Sequence, residues 1–409
     1  MLKTIILLFV LLLDMSLGVI SRYLGKASYT YGFPLELGLL FLCFIIFING
    51  KIGKQVFLMM LFMMLIIFQT AVSYYVLGFS GFRKSLFSLL LYTFTIFLAY
   101  SLYRLIYLVK ERHLYLLFNS TAFFLFIIGF LSAMLQYFGF LAAKKVIILK
   151  EASHLAIIMA PFLLLEFFYF RKICIRLALV FSALLLVLLL KTATLLLIVG
   201  INFFLLLFIT KRKSDLVITV VLMFVFLAFW KLLLPQEVKF YLVDRLTLNT
   251  ESSLSNLSAL AYISGWERAF LSLKKTYILG LGFNRLGFFN LKGHYQQILS
   301  SLGFADLNLY DGATLGAKII AELGGLGLLL LLIYFIILIK LLISVANARV
   351  TIRDLFFLSC YISFSFELLV RGFGYFTPNT IFFFASCMWV WKFFRQLRFE
   401  KYHVKKIIT

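Results

Sequence analysis

Acidic residues are scarce in this chain: Asp and Glu together number 16 among 409 residues, against 39 Lys and Arg. Charged residues of both signs make up only 13% of the sequence, and 64% of it is hydrophobic. Soluble globular domains are about 45–50% apolar, so this composition excludes that class and indicates an integral membrane protein. Nucleic-acid binding is not expected, because the positive charge is dispersed among short loops and no recognition fold is visible.

Cysteine is also rare, and the four cysteines have neither metal-ligand nor redox spacing. They lie within or at the edges of apolar segments, so we expect no disulfide framework and no zinc site. Proline is equally scarce, with four in the whole chain, and neither an internal repeat nor a low-complexity linker is visible. We therefore predict a single membrane domain over residues 1–409.

Long apolar runs are what the chain has in abundance. Runs of about 17–25 residues can cross about 30 Å of hydrocarbon as helices. Helices are required because lipid cannot hydrogen-bond an exposed backbone, and the alternating pattern of a membrane barrel is absent. We predict an all-α polytopic membrane protein with about twelve transmembrane helices, near residues 4–20, 33–49, 55–73, 86–109, 114–140, 151–170, 174–190, 193–210, 215–234, 316–339, 352–370 and 376–393. The first resembles a signal peptide, but Asp14 in its core and the lack of a cleavage site favour an uncleaved anchor helix.

Clusters of Lys and Arg between the spans predict the orientation, since cytoplasmic loops retain positive charge. Alternate connections carry them, from Lys51 and Lys54 to the basic C-terminal tail. Both termini are therefore expected in the cytoplasm. The longest polar stretch, residues 235–315, is then an extracytoplasmic loop inserted into the membrane domain. The formal net charge of +23 leaves this outer face basic as well, which favours an anionic ligand there.

The inserted loop has its own helical periodicity, over Glu237–Arg245 and Leu254–Thr276. Ser252-Ser253 is placed to start the second helix. These short helices are expected to cap the membrane domain. The glycines of Gly280-Leu281-Gly282 predict a tight turn and not a dinucleotide fingerprint, because the third glycine and the strand context are missing.

The first candidate site is Lys150-Glu151-Ala152-Ser153-His154, at the outer end of the sixth predicted span. On a helix, Glu151 and His154 share one face, because neighbours lie three or four residues apart. Ionisable residues that face a membrane interior are costly and usually mark a substrate or proton path. The alternative is an interfacial cap, with Glu151 favourable near a helix N-terminus.

The second candidate site is Trp266-Glu267-Arg268 in the inserted loop. The planar guanidinium of Arg268 can hold a phosphate through two parallel hydrogen bonds, and Trp266 can stack on a sugar or pack the loop. The alternative for Arg268 is a surface salt bridge with Glu267 or Glu251.

Two further candidates lie near the last three spans. Asp311 stands at the return into the membrane, where it is either a reserve base or an N-cap. Arg371 is the only charge in the short outer turn before the final span, where it is either a ligand-binding cation or an interfacial anchor. The glycines of Glu322-Leu323-Gly324-Gly325-Leu326-Gly327 predict close helix packing.

These motifs and the span pattern resemble the superfamily of bacterial O-antigen ligases and Wzy-type repeat-unit polymerases. Glu151-Ala-Ser-His154 is similar to the Glu-Pro-Ser-His element of polysaccharide polymerases. Trp266-Glu-Arg268 before Gly280-Leu-Gly282 looks like the loop element of that superfamily, and Glu322–Gly327 looks like the glycine-rich start of the next span. The long outer loop before the last three spans matches as well, so the architectural likeness covers nearly the full chain.

The chain departs from the superfamily at two positions. Ala152 replaces the proline of the polymerase element, which leaves the ionisable pair intact. In ligases a histidine precedes the glycine-rich stretch by about eleven residues, and that place is Ala313 here. The missing histidine favours a polymerase over a ligase.

The resemblance implies a membrane glycosyltransferase of the bacterial cytoplasmic membrane, active on its outer face, that needs neither metal nor cofactor. The loop agrees in lacking an Asp-x-Asp pair. Its substrates would be polyprenyl-pyrophosphate-linked glycans, donor and acceptor, with a chain-length regulator and a flippase as further partners. We expect His154 or Glu151 to serve as base, with Asp311 in reserve. Cations that would stabilise the departing pyrophosphate are Arg268, Arg245, Lys150 and Arg371, with Trp266 as the sugar contact.

Two other functions remain open from the sequence. A ligase would move the finished glycan to a different acceptor. A lipid-linked oligosaccharide flippase, or another transporter, would also account for the spans, and Asp14, Glu36, Glu166 and Glu367 would then form an ion path. A transporter predicts repeats and broken helices near the midplane.

Overall fold

The computed structural model describes residues 3–8, 10–11, 53–142, 145–147, 149, 151–170, 172–209, 217, 220–221, 223–224, 227–228, 231–232, 236–246, 256–346, 350–372 and 374–408. Within these residues the regular structure is helical throughout and no strand occurs. The main helices are α1 (Lys54–Leu77), α2 (Phe82–Leu108), α3 (Glu111–Tyr137), α4 (Ala152–Tyr169), α5 (Ile173–Leu190), α6 (Ala193–Ile209), α7 (Gln236–Leu246), α8 (Leu257–Lys275), α9 (His294–Ser301), α10 (Leu315–Leu323), α11 (Gly325–Val345), α12 (Ile352–Leu369) and α13 (Pro378–Ile408).

Five of the described helices are long and apolar enough to cross a membrane: α1, α2, α3, α4 and α11. Two shorter apolar stretches, in α5 and α6, add to them. The chain is therefore an all-α membrane protein. The full number of twelve spans stays a prediction, because the predicted spans near 4–20, 33–49 and 215–234 fall mostly outside the described residues.

The predicted span near residues 316–339 is wrong in its extent. Gly324 separates the buried helix α10 from the membrane-length helix α11. Its φ of +61° places it in the left-handed region, and a Cβ there would meet the carbonyl oxygen of Ile278 at 2.1 Å. A hydropathy profile does not detect this break between α10 and α11, because the residues on both sides of Gly324 are apolar.

The loop helices agree with the sequence pattern in position and differ at one start. α7 coincides with the predicted helix over Glu237–Arg245. α8 begins at Leu257, and its N-cap is Asn256, whose side chain accepts a hydrogen bond from the backbone N–H of Ala259. Ser252-Ser253, predicted to start this helix, lies outside the described residues.

Helix α4 lies at the centre of the bundle and is buried along nearly its whole length. It packs against α12, α6 and α3, and α12 packs in turn against α13. Because the neighbours of α4 enclose it on all sides, the residues at its start lie near the middle of one end of the bundle.

Residues 256–324 cover that end, which we call the loop face. Tyr262 donates a hydrogen bond to the carbonyl oxygen of Leu369 at 2.9 Å, and Ser73 at the end of α1 donates to Gly280 at 3.0 Å. Two tyrosines on this face, Tyr75 and Tyr277, are 90% and 94% exposed. Exposed tyrosines of this kind are typical of the boundary between membrane and water, so we expect the loop face to lie near the bilayer surface.

Candidate functional site

A cleft of about 270 Å³ opens on the loop face. It lies between the starts of α4 and α6, the first turns of α8, and the turn that follows α12. Its polar lining comes from two charged residues and four hydroxyl-bearing ones: Glu151, Arg371, Ser153, Thr194, Ser258 and Tyr262. Leu197 and Leu369 are among its apolar lining residues, so the cleft combines an ion pair with a partly apolar wall.

The ion pair in the cleft joins Glu151 and Arg371. The Arg371 guanidinium donates to Glu151 Oε2 at 3.1 Å, and the Ser153 hydroxyl donates to the same oxygen at 3.1 Å. The Glu151 side chain is 40% exposed and the Arg371 side chain is 21% exposed, so both can contact a ligand that enters from solvent. The structure therefore brings together one predicted base and one predicted phosphate-binding cation.

Local backbone geometry positions both charged residues in the lining of the cleft. Glu151 is the N-cap of α4 and is extended, with φ −144° and ψ 153°. Arg371 follows the end of α12, where Gly372 donates to the carbonyl of Ala313 at 2.9 Å. A Cβ at Gly372 would meet the backbone N of Leu315 at 2.4 Å, so only glycine allows this close approach.

Glu151 and His154 differ in their relation to the cleft. Glu151 is the N-cap that precedes α4, and it lines the cleft. His154 is buried in the first turn of α4 and is not among the residues that line the cleft.

Arg268 lies in the interior of the loop and does not line the cleft. It is 2% exposed, and its guanidinium donates to the carbonyl oxygens of Leu309 at 2.6 Å and Leu286 at 3.4 Å. Burial lowers the pKa of Arg268 to about 10, against the opposing effect of nearby Glu322, so the side chain stays charged at neutral pH. Its visible role is to hold two loop segments together.

The alternative of a surface salt bridge between Arg268 and Glu267 is wrong. Glu267 accepts hydrogen bonds from the backbone N–H groups of His294 at 2.6 Å and Tyr295 at 3.0 Å. It therefore caps the start of α9, where the free N–H groups and the helix dipole favour a carboxylate. Glu251, the other suggested partner, lies outside the described residues.

Trp266 is half-buried and packs against α10. A Cβ built on Gly316 would lie 3.5 Å from its indole ring, and its Nε1 has no hydrogen-bond partner among the described residues. Trp266 does not line the cleft, whereas Tyr262, one turn earlier in α8, does. The two ring centroids are 6.5 Å apart.

Asp311 does not cap α10. The N-cap is Thr314, whose side chain accepts from the backbone N–H of Ala317 at 3.2 Å. Asp311 stands in the preceding turn, on the side facing Lys318: a Cβ on Gly374 would lie 3.4 Å from Asp311 Oδ1 and 4.0 Å from Lys318 Nζ.

Lys318 and Glu322 form a buried polar network that the sequence reading missed. Lys318 Nζ donates to Asn284 Oδ1 at 2.9 Å and to the carbonyl of Tyr310 at 2.7 Å. Glu322 accepts from the backbone N–H groups of Asn284 at 2.7 Å and Leu286 at 3.0 Å. The sequence signal for this network is a lysine and a glutamate four residues apart in an otherwise apolar helix, which places both on one helix face.

Tyr375 extends this network, and Arg285 makes separate contacts next to it. Burial, followed by the nearby Glu322 charge, raises the pKa of Tyr375, so its hydroxyl keeps its proton and donates to Glu322 at 2.7 Å. Burial also lowers the pKa of Arg285, which donates to the carbonyls of Gly78 at 2.6 Å and Ser80 at 3.0 Å. Arg285 therefore ties the loop to the turn between α1 and α2.

The predicted turn at Gly280-Leu281-Gly282 is confirmed, with φ values of +84° and +93° at the two glycines. A Cβ on Gly280 would meet the backbone N of Gly324 at 2.4 Å, and one on Gly327 would meet the carbonyl oxygen of Ile319 at 2.5 Å. The packing role expected of the Glu322–Gly327 glycines is therefore confirmed as well.

Two predicted phosphate-binding residues cannot be placed relative to the cleft. Lys150 and the Arg245 side chain lie outside the described residues, although the Arg245 backbone belongs to α7. Across the part of the chain that the structure describes, no three His, Cys, Asp or Glu residues are arranged to hold a metal ion.

Comparison with known proteins gives no relative: no family model, curated protein or solved structure matches this chain. The functional assignment therefore depends on the geometry of the cleft and on the chemistry of its residues.

Proposed function

We propose that the protein is a membrane glycosyltransferase that polymerises polyprenyl-pyrophosphate-linked oligosaccharide repeat units into a surface polysaccharide such as O-antigen, capsule or exopolysaccharide. The bacterial cytoplasmic membrane would be its site, with both termini cytoplasmic and the loop face extracytoplasmic. The observation that carries the proposal is the Glu151–Arg371 ion pair in a cleft on the loop face. A lipid carrier would present its pyrophosphate near the bilayer surface, where we expect that face to lie.

The proposed reaction breaks one bond and forms one. The bond between the anomeric carbon of the donor glycan and its pyrophosphate oxygen breaks, and the carrier pyrophosphate leaves with the electron pair. A hydroxyl of the acceptor unit attacks that carbon and loses its proton, so the products are the lengthened glycan on the acceptor carrier, the free carrier pyrophosphate and a proton. Arg371 would stabilise the negative charge on the leaving group, and Glu151 would take the proton.

The ion pair would hold the Glu151 carboxylate and the Arg371 guanidinium in place before the substrate binds, and it would be weak enough for the substrate to break. Ion pairs with exposed partners contribute about 0–1 kcal/mol, whereas hydrogen bonds to charged groups contribute about 1.5–3 kcal/mol. A pyrophosphate offers Arg371 several such bonds, so it would displace Glu151 from the guanidinium. The carboxylate would then be free to act as a base.

The other predicted residues receive different roles in this proposal. Arg268 would hold the loop and not the pyrophosphate, because its donors already meet backbone carbonyls. His154 and Asp311 would support the site from behind the cleft wall and from the neighbouring network. The donor and acceptor carriers remain the expected partners, with membrane lipid, a chain-length regulator and a flippase.

The flippase alternative gains little support from the acidic residues. Glu166 lies near the end of α4 and Glu367 near the end of α12. Because α4 runs away from the loop face and α12 runs towards it, these carboxylates lie at opposite ends of the bundle. Asp14 and Glu36 are outside the described residues.

Replacement of the two ion-pair residues tests the proposal. In a host strain from which the gene is deleted, we expect the native chain to restore a ladder of polymer, and Glu151→Gln and Arg371→Ala to leave single carrier-linked units at equal protein abundance. Glu237→Gln and Arg83→Ala, exposed on the protein surface, are matched controls that should keep the ladder. Full-length polymer from both ion-pair variants would contradict the proposal.

A further inference from the structure

Among the described residues that line the cleft, Tyr262 is the one with an aromatic ring. It lies in the second turn of α8 and is partly exposed. Its hydroxyl donates to the carbonyl oxygen of Leu369 at 2.9 Å, which fixes the ring against the turn that also carries Arg371. A ring held in this way keeps one orientation relative to the cation, and it does so at little entropic cost, since tyrosine has only two side-chain torsions.

The neighbouring groups suit a sugar. The hydroxyls of Ser153, Thr194 and Ser258 line the same cleft and can both donate and accept hydrogen bonds, as sugar hydroxyls can. A pyranose ring also has an apolar face made of C–H groups, which gains free energy when it is covered by an aromatic ring. The volume of about 270 Å³ is slightly below the usual range for small-molecule sites, which begins at about 300 Å³. It accommodates one sugar next to a phosphate group and not a whole repeat unit.

We propose that Tyr262, with the cleft hydroxyls, forms the subsite for the sugar directly attached to the carrier pyrophosphate, and that it determines which sugar the protein accepts. This inference rests on the proposed function and replaces Trp266 as the sugar contact. Trp266 packs against Gly316 outside the cleft. Arg371 would hold the pyrophosphate, and Tyr262 would cover the sugar next to it.

Binding measurements on the full chain in lipid nanodiscs test this subsite. Two probes are compared: undecaprenyl pyrophosphate, and the lipid-linked repeat unit extracted from the deletion strain. We expect the native chain to prefer the sugar-bearing probe. Tyr262→Leu should lower that preference by about fivefold, the change expected for one lost stacking contact, and should still bind undecaprenyl pyrophosphate. Tyr262→Phe keeps the ring and should keep the preference.

The outcomes distinguish a sugar contact of the Tyr262 ring from a purely structural role of that residue. Tyr277→Leu removes an exposed tyrosine elsewhere on the loop face and should bind both probes like the native chain. If Tyr262→Leu keeps the preference, loses both probes equally, or matches Tyr262→Phe in its loss, the ring is not a sugar contact. If the native chain binds neither probe, or the deletion strain accumulates no lipid-linked unit, the proposed function itself fails.

Discussion

Arg371 and Glu151 are 220 positions apart in the chain, and their side chains meet at 3.1 Å. Neither the start of α4 nor the turn after α12 indicates this contact by itself. The pairing arises because α4 and α12 pack side by side in opposite directions, so that the start of one lies next to the end of the other. It defines the site from which the following predictions derive.

Arg371→Lys should reduce polymer synthesis strongly without abolishing it. Lysine keeps the positive charge but lacks the planar fork that forms two parallel bonds to a phosphate. We expect the rate of polymer formation to fall by about tenfold, equivalent to about 1.4 kcal/mol, while Arg371→Ala abolishes it. Quantification of chain length on gels measures this, with Arg83→Lys as the control. Equal activity of the lysine variant and the native chain would show that charge alone suffices.

Arg268→Ala should destabilise the protein. The substitution leaves the buried carbonyl oxygen of Leu286 and the part-buried one of Leu309 without this donor. Each buried group left unsatisfied costs about 1–3 kcal/mol, so the apparent melting temperature in detergent should fall, and protein abundance should fall with it. Lys274→Ala, an exposed position in the same helix, should change neither. A stable but inactive Arg268→Ala protein would contradict this structural role and indicate that Arg268 acts in catalysis.

Gly324→Ala and Gly139→Ala should differ sharply although both glycines have positive φ, +61° and +78°. A positive φ disfavours any residue with a side chain at both places. At Gly324 the added Cβ also meets the carbonyl of Ile278 at 2.1 Å, whereas at Gly139 nothing lies within 4 Å. Overpacking adds about 1–3 kcal/mol, so thermal unfolding should show the larger loss for Gly324→Ala. Equal losses would mean that the α10–α11 break tolerates a side chain.

Glu322→Gln should loosen the loop without touching the cleft. The two carboxylate oxygens of Glu322 accept three hydrogen bonds, from Asn284, Leu286 and Tyr375. The side-chain amide of glutamine has only one acceptor oxygen, so it cannot accept all three in the same arrangement. We expect faster amide hydrogen exchange in residues 281–286 than in the native chain. Glu237→Gln should leave this exchange unchanged. Unaltered exchange in Glu322→Gln would show that the carboxylate is not needed to hold the loop.

The sequence predicted the helical class and much of the helix pattern, because apolar runs and their length report directly on membrane helices. It also identified Glu151 and Arg371 as candidates, since isolated charges next to apolar spans are conspicuous. It did not show that Arg268 and Trp266 lie outside the cleft, because nothing in a short motif tells whether an arginine faces solvent or the carbonyls of a distant segment. The buried contacts of Lys318 were not predicted for the same reason, because its partners Asn284 and Tyr310 become neighbours only when the loop folds.

The most direct test of the central claim is a reconstituted reaction. The purified chain in lipid nanodiscs is supplied with the lipid-linked repeat unit from the deletion strain, and the released undecaprenyl pyrophosphate and the glycan products are measured together. We predict one carrier pyrophosphate released for each glycosidic bond formed by the native chain, and neither product from Arg371→Ala or Glu151→Gln. Absence of both products with the native chain, or movement of intact repeat units across a vesicle membrane without bond formation, would contradict the account.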